Sequence, residues 1–72
     1  MQTDQYRGYM LWGHAILQQE DVVRQERFSG SGTIMRDSKV VVASGVLGVF
    51  NTDEEAESAG LSWCRAWVDN HG

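Results

Sequence analysis

Lys39-Val40-Val41-Val42-Ala43-Ser44-Gly45-Val46-Leu47-Gly48-Val49-Phe50-Asn51-Thr52-Asp53-Glu54-Glu55 holds the change of pattern on which the fold turns. Its first part is β-like. Three successive valines crowd the turns of a helix and sit well on a pleated surface. Its last part is a helix start. Thr52 with Glu55 three residues later forms a capping box, and Asp53, Glu54 and Glu55 oppose the positive end of a helix dipole. The segment therefore predicts a strand over 39–50 and a helix from Asp53 to about Val68, ending near Asn70-His71-Gly72.

Downstream, the helix carries two apolar stripes. Ala56, Ala59, Gly60, Trp63, Ala66 and Trp67 share one face at 3.6 residues per turn. Small residues at its start permit close approach to a sheet, and the tryptophans supply bulk. This face is expected on the sheet. Leu61, Cys64 and Val68 form a narrower second stripe, left for a partner.

Upstream, Arg36-Asp37-Ser38-Lys39 reads as a tight turn. A strand is expected over roughly Val22 to Met35, with Gly30 and Gly32 marking a bulge or bend. Gln18 to Asp21 is a polar connection. Tyr6 to Leu17 reads as the first strand. One of its faces carries Tyr9, Leu11, Gly13, Ala15 and Leu17; the other carries Met10, Trp12, His14 and Ile16. Residues 1–5 are polar and expected to fray. The expected architecture is one α+β domain over residues 1–72: a three-stranded antiparallel meander with the C-terminal helix packed on one face, β-β-β-α. A single helix covers only one side of such a sheet.

Composition narrows the function. The 72 residues contain six Lys and Arg against ten Asp and Glu, a formal net charge of −4. Residues 52–72 hold Arg65 alone against five acids, whereas residues 1–51 are balanced, so a polyanion would be repelled by the helix. A core this small is typically worth only about 3–5 kcal/mol, which makes self-association a ready source of further stability. One cysteine excludes an internal disulfide and fits a reducing compartment. Met1-Gln2-Thr3-Asp4-Gln5 lacks a basic start and an apolar run, so no secretion signal is expected. The Val40–Phe50 stretch is far shorter than the ~20 residues of a membrane helix. These features predict a cytoplasmic protein without a membrane segment.

No motif announces a catalyst. Gly30-Ser31-Gly32 lacks the third glycine and the following helix of a phosphate loop. No Gly-x-Ser-x-Gly occurs. His14, Cys64 and His71 do not have the spacing of metal ligands. Cys64, late in the helix and without a histidine beside it, reads as packing rather than as a nucleophile. Neither a metal nor a cofactor is expected.

Three hypotheses remain. The first is a non-enzymatic interaction module, self-associating or holding a protein partner, with Trp12, His14, Leu61, Cys64 and Val68 as its surface. The second is a single-stranded nucleic acid binder stacking bases on Tyr9 and Trp12 and holding phosphates with Arg24 and Arg27. The acidic charge argues against it. Three strands and a helix are also similar to part of a double-stranded-RNA-binding domain, but Asp53-Glu54-Glu55 gives the helix start the wrong sign. The third is a small enzyme built around His14 without a recognisable motif.

Phe50-Asn51-Thr52-Asp53-Glu54-Glu55-Ala56 and Cys64-Arg65-Ala66-Trp67-Val68-Asp69 resemble the ending of small proteins of Burkholderia-type beta-proteobacteria without an assigned function. Ser44-Gly45-Val46-Leu47-Gly48 and Tyr6-Arg7-Gly8-Tyr9 extend the resemblance over most of the chain. The shared motifs are structural. The resemblance implies a cytoplasmic bacterial protein and carries over no active-site residue. Cys64 departs from the alanine usual in that group, which counts against a thiol role.

Overall fold

A computed structural model describes residues 1–18 and 27–71. Five strands and one helix follow in order: β1 (Gln2–Tyr6), β2 (Tyr9–Gln18), β3 (Arg27–Arg36), β4 (Lys39–Ala43), β5 (Gly48–Phe50) and α1 (Asp53–His71). The sheet is antiparallel in the order β1-β2-β3-β4, and β5 also pairs with β3. The α+β class and the C-terminal helix stand as expected. The strand count does not.

Two local features turn three expected strands into five. Arg7 and Gly8 both have positive φ, 51° and 86°, and close a two-residue hairpin between β1 and β2. Residues 2–6 are thus paired rather than frayed. The polar side chains of β1 grip the helix. The Tyr6 hydroxyl donates to Asp69 at 2.8 Å, and Arg65 donates to Asp4 at 3.3 Å. The second feature is an excursion at 44–47, with Gly45 at φ 72°. It splits the expected 39–50 strand without leaving β3. Ser44 N donates to Gly32 O, Leu47 N donates to Gly30 O, and Ser44 Oγ accepts from Gly32 N, each at 2.8 Å. The expected strand from Val22 begins, among the described residues, at Arg27.

Gly30 and Gly32 are not a bulge. The β2–β3 register runs unbroken from Met10↔Met35 to Gln18↔Arg27, and the irregularity falls between β3 and β4 at Ile34/Met35. The glycines make a seat for the helix instead. Gly13 pairs with Gly32, and α1 crosses them with its own Gly60. A Cβ on Gly32 would lie 2.6 Å from the Gly60 carbonyl oxygen. One on Gly60 would collide with the Ser31 carbonyl, and one on Gly13 with that of Glu57.

This seat fixes which side of α1 faces the sheet. Ala56, Leu61, Cys64 and Val68 are buried with Leu11 and Ile34. Trp63 and Trp67 are half-buried at the margin. The expected face is therefore corrected in part: its Ala56 and Gly60 meet the sheet as expected, while its two tryptophans pack at the margin of the core. Indoles are too large for a floor of bare backbone, and Gly60 and Cys64 take that place. Trp67 instead meets Tyr9 edge-on at 6.3 Å. The helix start follows the sequence reading: Glu55 N donates to Thr52 Oγ1 at 3.1 Å. Glu57 is also buried, and its carboxylate accepts from the Met1 amine at 2.7 Å.

Candidate functional site

With one helix on one face, the register places the remaining side chains. Gly13 and Ile34 face the helix, so their strand neighbours face away. The open face is read in columns: Thr3 and Gln5; Met10, Trp12, His14, Ile16 and Gln18; Arg27, Ser29, Ser31, Thr33 and Met35; then Val40, Ala43 and Val49. Large side chains stand on β2 beside small hydroxyl residues on β3.

The centre is polar-aromatic. Trp12 and His14 stack at 6.4 Å with their planes 19° apart. His14 Nε2 lies 3.1 Å from Thr33 Oγ1 across the strands. Gln18 donates to Ser29, which is buried although it lies on the open side. Around this centre the apolar residues meet solvent: Ile16 is 57% exposed, Val49 47% and Val40 61%. Of these described open-face residues only Arg27 is charged, in a chain whose net charge is −4.

The residues singled out from sequence divide between the two sides. Trp12 and His14 lie together on the open face. Leu61, Cys64 and Val68 are buried under the sheet, at 5%, 0% and 0% exposure, so they form no partner surface. Leu61 and Cys64 pack over Gly13 and Gly32 in the glycine seat. Cys64 Sγ lies 3.6 Å from the Thr33 carbonyl. Burial pushes its thiol above the ordinary 9.0, against a backbone hydrogen bond at Trp12 and the charge of Arg65.

The four residues of the nucleic acid reading do not form one surface. Tyr9 faces the helix side, with the Arg36 guanidinium 5.2 Å from its ring centroid. Arg27 shares a face with Trp12 but stands six register positions away, about 20 Å at 3.3 Å per residue. Arg24 lies outside the described residues. Among the described residues no three His, Cys, Asp or Glu side chains are placed to hold a metal ion. No described helix is long and apolar enough to cross a membrane.

Reasoning from sequence reached the β2 column through its alternation. It missed Met35, whose place follows from the β2–β3 register, and Val40 and Val49, whose places depend on the bulge at Ile34/Met35 and the excursion at 44–47. Gly45 beside Ser44 is the signal for that excursion. No family model, curated protein or solved structure matches the chain.

Proposed function

We propose that the protein is a non-enzymatic interaction module whose open sheet face docks a second copy of the chain. The observation that supports this most strongly is the composition of that face. Interface centres are depleted in Lys, Asp and Glu and enriched in aromatic residues, Met and Arg. The open face carries Trp12, Met10 and Met35, with Arg27 as its one charge among the described residues. A face that served only solubility would hold its share of acids.

Charge and area favour a second copy as the occupant. The helix acids Asp53, Glu54, Glu55 and Asp69 lie on the far side of the sheet. Two copies meeting face to face would separate their helices by two sheets, about 30 Å, well beyond the ~8 Å screening length at physiological salt. The open face spans about 500 Å² per copy by strand spacing and rise, hence about 1,000 Å² in total, the lower bound for a specific interface.

Sedimentation equilibrium tests the proposal. The wild type is expected to dimerise at micromolar to millimolar concentration. Ile16→Glu and Val49→Glu place a charge on exposed open-face positions and are expected to give monomers with unchanged melting of the monomer fold. A wild-type chain that stays monomeric throughout this range contradicts the proposal.

A further inference from the structure

The two hairpin tips at one end of the sheet enclose a second feature. The β2–β3 ladder stops at Met10↔Met35, while β1–β2 continues to Tyr6↔Tyr9 and β3–β4 to Arg36↔Lys39. Beyond Met10 and Met35 the turns Arg7-Gly8 and Asp37-Ser38 therefore stand next to each other unpaired. A cleft of about 640 Å³ lies there, within the ~300–1,000 Å³ of small-molecule sites. Met10, Met35 and Trp12 line its open-face side, and Tyr9, Arg36 and Asp37 complete it.

The lining selects a chemistry. Two thioethers and an indole suit a flat aromatic ring, since sulfur packs favourably on ring edges. The Trp12 Nε1 is buried with no hydrogen-bond partner among the described residues. Arg36 is held ready: its guanidinium sits over Tyr9 and donates to the Tyr9 hydroxyl at 3.3 Å. One such bond leaves most of the planar fork for a carboxylate. Among the described residues no carboxylate lies within ion-pair distance of Arg36, whereas Arg7 is paired with Asp69 at 3.5 Å.

We propose that this cleft binds a small aromatic carboxylate, its ring among Met10, Met35 and Trp12 and its carboxylate on Arg36. Titration of isotope-labelled protein with 2-naphthoate, followed by NMR, tests it. The cleft shares Met10, Met35 and Trp12 with the docking face, so the titration is run at protein concentrations below the dimerisation range, where the chain is monomeric. Saturable shifts are expected for the Trp12 indole N–H and the Met10 and Met35 methyls, with the Trp63 indole unmoved. The neutral analogue 2-naphthalenemethanol is expected to bind wild type about tenfold more weakly, the loss of one charge-assisted contact. Arg36→Gln is expected to erase that preference. No saturation at millimolar naphthoate, shifts confined to the helix indoles, or equal wild-type affinity for acid and alcohol would each overturn the proposal. The acid–alcohol comparison uses wild type, so it holds whether or not the variant folds.

Discussion

Gly60 is the residue on which the packing depends most. Its Cα side faces the Ser31 carbonyl with no room for a methyl group, and Gly13 and Gly32 complete the seat from the sheet. Alanine is the better helix former, yet Gly60→Ala is expected to lower stability by about 2–3 kcal/mol, because the helix must lift off its floor. Urea unfolding of the two proteins measures this. Cys64, beside that seat, has a pH signature. Its folded thiol ionises above 9.0 because it is buried, so between that value and its raised folded value the unfolded chain loses a proton that the native chain keeps. Its contribution is complete below about pH 8 and falls as pH rises, by at most about 1.4 kcal/mol per unit. Unfolding free energies from pH 8 to pH 10.5 are expected to decline more steeply for wild type than for Cys64→Ala. Parallel declines would show that the thiol does not titrate between the two states.

At the scale of elements, the β3–β4 turn offers a direct check. Asp37 and Ser38 both have positive φ, 52° and 64°, in a two-residue hairpin that glycine fits best. Ser38→Gly is expected to raise stability by about 0.5–1 kcal/mol, seen as a higher denaturation midpoint. This turn was legible in sequence because Asp and Ser flank a change of strand. The β1–β2 turn was hidden, since Arg7 gives no turn signal and Gly8 alone reads as an irregular strand residue. The helix start was legible from Thr52 and the acids after it, and the alternation of Met10, Trp12, His14 and Ile16 was legible from period 2. The helix face was not. Two tryptophans outweigh Leu61, Cys64 and Val68 in any reading of amphipathicity, but three glycines on neighbouring strands decide which side fits. That information is non-local and exists only once β2 and β3 are in register. The same holds for the open face: its β2 column could be read from sequence, and the columns of β1, β3, β4 and β5 required the strand pairing.

For the whole molecule, the asymmetry of the two layers carries the proposed self-association. The helix side is built on glycine contact and closed by ion pairs at Asp4, Glu57 and Asp69. The opposite side leaves Ile16, Val40 and Val49 in water around the Trp12–His14 stack, with almost no charge. The measurement that tests this reading most directly is a dilution series of amide and methyl NMR spectra, from millimolar to low micromolar protein. Self-association through the open face predicts concentration-dependent shifts at Trp12, His14, Ile16, Thr33 and Val49, with the exposed helix positions Glu54, Ser58 and Ala66 unchanged. Spectra that do not change with concentration, or changes that gather on the helix, would contradict it.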